Sequence, residues 1–173
     1  MLRVLITSDE SISVGRWIDF MEDDAMQKVH EVIIDSMNYC GSKSLTNRQS
    51  DSEIPFKYLE NLDPEELYAL GKAMRDVWRS DEEIGAFCAF SEFYSVYDSI
   101  DYVNAGIYKY YGVSTSDLGI RRLKETPLYK ALSDADACRF FDFKKYGELE
   151  ESKLDLVYTH FGMYVLNTKF EED

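Results

Sequence analysis

The sequence predicts an α+β protein in three segments: a small N-terminal α/β domain, a central helical bundle and a C-terminal α/β domain. Short apolar runs with strand character open and close the chain. Helical periodicity with strong capping signals fills its middle. The charge also differs between segments: residues 1–60 carry 11 acidic and 6 basic side chains, residues 61–104 carry 10 and 3, and residues 105–173 carry 12 and 10.

Leu2-Arg3-Val4-Leu5-Ile6 reads as a strand, and Ile12–Phe20 as a second strand after a turn. A helix is expected from Asp23 or Asp24 through Met26, Val29, Ile33 and Met37, ending near Cys40-Gly41. The polar stretch Gly41–Ser52 reads as a loop, and Ile54-Pro55-Phe56 as a short extended piece.

The middle segment has the clearest signals. Asp63 can cap a helix, Pro64 fits its first turn, and Glu65 and Glu66 suit its positive end. Ser80-Asp81-Glu82-Glu83 is a capping box that opens the next helix. Ser95–Asn104 reads as a third, short helix.

In the last segment, Ile107–Tyr111 reads as a strand, and Ser114–Asp117 starts a helix expected to run through Leu118, Ile120, Leu123 and Leu128. Phe140–Phe143 precedes a turn at Tyr146-Gly147. Leu154–His160 and Met163–Leu166 form a hairpin around Phe161-Gly162.

Composition limits the function. The chain has 33 Asp and Glu against 19 Lys and Arg, a formal net of −14 and a pI near 4.5. Such a chain repels nucleic acid and attracts proteins with basic grooves, although acidity also simply keeps proteins soluble. Cys40, Cys88 and Cys138 are far apart and odd in number, which fits a reducing cytoplasm and argues against a disulfide framework or structural zinc. No apolar stretch approaches the roughly 20 residues of a membrane span. Gly106, Gly112 and Gly119 are too widely spaced to cradle phosphate, and His30 and His160 have no nucleophile pattern nearby. The acidic clusters Glu22–Asp24 and Asp81–Glu83 lack the spacing of a calcium loop. No enzyme activity, metal or cofactor is expected.

Several blocks then follow in order. They are Val14-Gly15-Arg16-Trp17-Ile18-Asp19, then Glu53-Ile54-Pro55-Phe56 leading into Leu62–Leu67, then Glu83–Phe87 with Tyr97-Asp98-Ser99-Ile100. Phe140-Phe141-Asp142-Phe143-Lys144-Lys145-Tyr146-Gly147 and Thr159–Val165 complete the set. In this order the chain resembles the ArdA antirestriction proteins. The resemblance implies an elongated three-part fold that dimerises through its C-terminal domain. It also implies carboxylates arrayed like the phosphates of bent B-DNA, filling the DNA groove of Type I restriction–modification enzymes. Ser8–Ser13 stands where the family has a Tyr-Asn-(Glu/Asn)-Gly turn, and Phe161 is inserted between His160 and Gly162. These departures keep a CRISPR nuclease or another DNA-binding defence protein in view as the target. The acidic composition is also compatible with a small acid-dependent hydrolase or with an adaptor that imitates no DNA.

The expected mimic surface is a stripe of exposed carboxylates from the first segment into the second: Asp23, Asp24, Glu31, Glu60, Asp63, Glu65, Glu66, Asp76, Asp81, Glu82, Glu83, Glu92, Asp98 and Asp101. The expected homodimer contact lies in the least charged segment, at Leu123, Leu128, Tyr129, Leu132, Phe140 and Phe141.

Overall fold

Alternate residues at the start of the chain are apolar, and Leu2, Val4 and Ile6 are all fully buried on one face of strand β1 (Leu2–Ser8). In the computed structural model, which describes residues 1–167, β1 is the central strand of an antiparallel sheet. β2 (Gly15–Asp19) flanks it on one side and β3 (Leu45–Ser52) on the other. Helix α1 (Ala25–Cys40) buries Val29 and Val32 and stops at Gly41, whose φ of 72° suits a residue without a side chain.

β3 replaces the loop expected over Gly41–Ser52. None of its residues is fully buried, so it has no period-two apolar signal. Backbone pairing with β1 holds it, from Leu2 opposite Ser52 to Ser8 opposite Leu45, past a bulge at Leu5–Ile6. Polar composition is normal for such an edge strand. The extended piece expected at Ile54–Phe56 runs into a 3₁₀ turn, Phe56–Tyr58. Asn47 of β3 ties down the turn that follows, donating to the carbonyls of Leu59 and Leu62, each at 2.8 Å.

Helices α2 (Pro64–Asp76), α3 (Asp81–Phe90) and α4 (Val96–Asn104) follow the capping signals. Every residue of α3 from Ile84 to Phe90 is buried. Residues 1–60 and 61–104, expected as separate domains, instead belong to one compact unit, Met1–Asn104. Helix α2 touches the N-terminal part backbone to backbone: a Cβ on Gly71 would lie 2.2 Å from the Phe20 carbonyl oxygen. Arg75 adds a hydrogen bond to the Met21 carbonyl at 2.8 Å.

The second unit begins at Ala105. Residues 168–173 of the expected C-terminal domain lie outside the described residues. β4 (Tyr108–Tyr110), β5 (Val157–Thr159) and β6 (Gly162–Leu166) pair antiparallel in the order β4-β6-β5. The helix expected from Ser114 through Leu128 is two helices, α5 (Thr115–Lys124) and α6 (Pro127–Asp134). Pro127 has no N–H to continue a helix and disfavours helical backbone at Thr126, so it starts a new one.

The stretch around Tyr146-Gly147 is not a turn but helix α7 (Phe143–Glu151), capped by Asp142, which accepts from the Lys145 N–H at 3.0 Å. Its mid-helix glycine, a weak helix former, serves packing. A Cβ on Gly147 would lie 1.9 Å from the Thr115 carbonyl oxygen, and one on Gly119 would lie 2.0 Å from that of Phe143. α5 and α7 therefore cross with their backbones touching. Tyr111, Leu118 and Met163 form the core beside them, with Leu154, Leu156 and Val165 packed around it.

Glu150 is also buried in this unit. Its carboxylate accepts from Arg122 Nη2 at 3.0 Å and Lys153 Nζ at 2.6 Å. Lys153 first, and Arg122 with it, hold the Glu150 carboxyl below its ordinary range.

Two outcomes follow. Gly119→Ala must push α5 and α7 apart and is expected to lower stability by about 3 kcal/mol in urea unfolding. Glu150→Gln keeps the shape but removes the charge and is expected to cost about 1–2 kcal/mol at neutral pH. Because the folded pKa is depressed, this stabilisation is present above the unfolded value. It disappears as pH falls through the folded one, so wild type and variant should converge in acid. Unfolding measured across an acid series checks both the size and the sign.

Candidate interaction surface

The expected mimic carboxylates fall into distinct environments within the Met1–Asn104 unit. Those that start the stripe are neutralised. Asp23 pairs with Arg75 at 2.7 Å, Asp24 with Lys28 at 2.9 Å, and Glu31 with Arg16. Asp76 also pairs with Arg75, at 2.8 Å. Glu92 accepts from Lys57 at 2.9 Å and from the Tyr58 hydroxyl at 2.7 Å, and these two bonds hold its carboxyl below the ordinary range. An uninterrupted acidic stripe from the first segment is therefore absent among the described residues. The Asp24–Lys28 spacing of four along α1 places a lysine one turn on, and the docking of α2 brings Arg75 to Asp23.

The remaining acids sit mostly at helix starts. Asp63 accepts from the Glu66 N–H at 2.8 Å, while Glu66 accepts from the Asp63 N–H at 3.0 Å. Glu83 accepts from the backbone N–H groups of Arg79 at 2.6 Å and Ser80 at 2.8 Å. Asp98 accepts from the Ser95 hydroxyl at 2.6 Å. These bonds use backbone and hydroxyl donors, and no cation lies within 4.0 Å of the four carboxylates among the described residues. Glu60, Glu65, Asp81 and Asp101 are exposed, also without a cation partner among those residues. Glu82 is half-buried beside them.

Two clusters of negative charge result. One is the first turn of α2 with Glu60, and the other the first turn of α3. α2, with 13 residues and so about 20 Å long, runs between them in sequence. Tyr97, half exposed on α4, belongs to the first cluster. Partial burial, then Asp63, Glu66 and Glu65, push its hydroxyl pKa up. Asp81 shares a hollow with Arg79 and with Glu53, whose carboxylate pairs with the Met1 ammonium at 3.6 Å. Neither Tyr97 nor Glu53 carries a signal in the sequence, because only the fold places them beside α2 and α3.

The expected dimer residues also divide. Leu123 is fully buried in the core of its own unit, so it is not part of an exposed contact face. Phe140 is 79% exposed and Leu128 48%. Tyr129, Leu132 and Phe141 are half-buried. No residue of α6 is fully buried.

His30 lines a groove beside α2, and His160 meets Phe161 edge-on at 5.7 Å. Burial raises the Cys88 thiol to about 12, which keeps it protonated. Among the described residues no three His, Cys, Asp or Glu side chains converge as a metal site, and no helix is long and apolar enough to cross a membrane.

A scan against protein-family models finds no match for this chain, and a search of curated proteins finds none.

The Tyr97 environment gives a direct test of the first cluster. Replacing Glu65 and Glu66 with Gln is expected to bring the Tyr97 hydroxyl pKa down toward that of an ordinary tyrosine. NMR titration of tyrosine ring carbons reads this out. A Tyr97 pKa that does not move would show that the field at α2 is already neutralised.

Proposed function

We propose that this chain is a DNA-mimicking antirestriction protein of the ArdA type, which occupies the DNA groove of Type I restriction–modification enzymes and turns over no substrate. One observation carries the reading: two carboxylate clusters at the starts of α2 and α3, bonded to N–H and hydroxyl donors rather than to cations. The helix between them in sequence, α2, is about 20 Å long, the length of roughly six base pairs of duplex. The segment 61–104 that carries them is also the most acidic, with 10 acidic against 3 basic side chains. Over the whole chain, the net of −14 equals the charge of about 24 Å of duplex. Charges fixed on a folded scaffold need less ordering on binding than a flexible polyanion would.

The proposal includes a homodimer through the C-terminal segment. Leu128, Tyr129, Leu132, Phe140 and Phe141 form its contact, without Leu123. The protein acts in the cytoplasm, where restriction enzymes meet DNA, and binds neither nucleic acid nor membrane itself.

The test is competition between the chain and a labelled duplex for a Type I methyltransferase. The chain is expected to displace the duplex, with potency falling at least tenfold between about 50 and 200 mM salt, as multiple surface contacts are screened. Single substitutions should matter little, since an exposed pair contributes roughly 0–1 kcal/mol. Changing Glu60, Glu65, Asp81 and Asp101 together to Lys should abolish displacement and leave the helical circular dichroism intact. DNA that stays bound alongside the chain, or inhibition indifferent to salt, sinks groove occupancy. Displacement from a CRISPR nuclease but not from the methyltransferase would move the target.

A further inference from the structure

A groove of about 660 Å³ opens between α1, the start of β3 and the turn before α2. Met26, Val29 and Ile33 lie along one face of α1 at helical spacing, and Leu45 and Leu62 approach from the other wall. Met26, Ile33, Leu45 and Leu62 are only half-buried, so the floor leaves apolar surface to water. Glu60, Asp63 and Glu65 form the rim, and no cation within 4.0 Å neutralises them among the described residues. Lys43 is the one lysine in the lining, against three carboxylates. The walls are pre-formed, because Asn47 bridges the carbonyls of Leu59 and Leu62 in the turn that carries Glu60.

We infer that this groove seats a basic, partly apolar segment of a partner protein, with an aliphatic side chain on the floor and flanking Lys or Arg side chains on the rim. Charge complementarity selects the occupant. The rim rejects anions, nucleic acid included, and favours ammonium or guanidinium groups, whose aliphatic stems also cover apolar surface. The volume lies within the range of about 300–1,000 Å³ typical of ligand pockets. The Asp63 carboxylate is already held by the Glu66 N–H, which suits it to an exposed charge contact. This contact goes beyond charge mimicry, since an imitation of phosphates needs no apolar floor. It also stands if the target is not a restriction enzyme.

The experiment uses the full chain with labelled methyl groups and two peptides of equal charge, acetyl-Lys-Arg-Leu-Arg-Lys-amide and acetyl-Lys-Arg-Ser-Arg-Lys-amide. The Leu peptide is expected to shift the methyl resonances of Met26 and Ile33. It should bind about fivefold more tightly than the Ser peptide at the same salt. Ile33→Ser should abolish that preference while the Ile84 methyls in the α3 core stay in place. Glu60→Gln with Glu65→Gln should weaken both peptides and leave the preference. Equal affinities, with shifts spread across the whole unit, would overturn the inference in favour of diffuse attraction. Unmoved groove methyls, with a sedimentation coefficient that changes in Ile33→Ser, would overturn it in favour of a second copy filling the groove. Ile33→Ser that loses the peptide preference but still displaces DNA from the methyltransferase supports the groove and separates it from the mimic surface.

Discussion

The contact between Gly71 and the Phe20 backbone is the constraint on which the Met1–Asn104 unit depends. With a Cβ-to-oxygen distance of only 2.2 Å available, α2 can approach the turn after β2 this closely only because residue 71 has no side chain. That approach has consequences at both ends of the helix. At its C-terminal end, Arg75 reaches the Met21 carbonyl and the carboxylates of Asp23 and Asp76. At its N-terminal end, Asp63 and Glu65 line the same groove as α1 and β3. One packing contact thus brings Arg75 to Asp23 and sets Asp63 and Glu65 on the groove.

The division between cancelled and surviving charge has an electrostatic logic. A carboxylate in the first turn of a helix is stabilised by unsatisfied N–H groups and the positive end of the dipole, so it needs no cation. Asp63, Glu66 and Glu83 are held in this way. An aspartate in the last turn has the opposite environment, and Asp76 has Arg75 beside it, whose hydrogen bond holds its carboxyl below the ordinary range. Glu92, just beyond the end of α3, likewise draws on Lys57 and Tyr58. Capping chemistry therefore does two jobs in this chain. It starts the helices, and it leaves negative charge facing solvent at defined intervals.

Much of this was legible in the sequence. The Asp63-Pro64-Glu65-Glu66 and Ser80–Glu83 signals are local, and they mark both the helix starts and the charge clusters. β1 and α1 were legible because their buried faces repeat with the period of their backbone. β3 was not, because an edge strand held by backbone pairing leaves no apolar pattern in Leu45–Ser52. α7 was hidden by Gly147, a residue that weakens a helix locally and yet permits the crossing with α5. The neutralisation of Asp23 by Arg75 could not be read from spacing, since those residues meet only after α2 docks. For the same reason the single unit made by residues 1–104 looked like two segments of different composition.

The C-terminal unit shows that formal charge is a poor guide to field. Its acids are extensively paired: Glu150 with Arg122 and Lys153, Glu125 with Lys109 and Arg122, Asp136 with Arg139. Paired charges of this kind give little long-range attraction. The apolar side of the same unit is less complete. An eight-residue helix is too short to be stable by propensity alone, and α6 buries none of its residues fully. Leu128, Tyr129 and Leu132 give it an apolar face, and Phe140 beyond it is 79% exposed. In the proposed dimer a second copy covers that face at the point where the two chains repel least. Such a dimer would account for both the charge balance of the C-terminal segment and the exposed face of α6, because two strongly acidic chains meet most easily where they repel least.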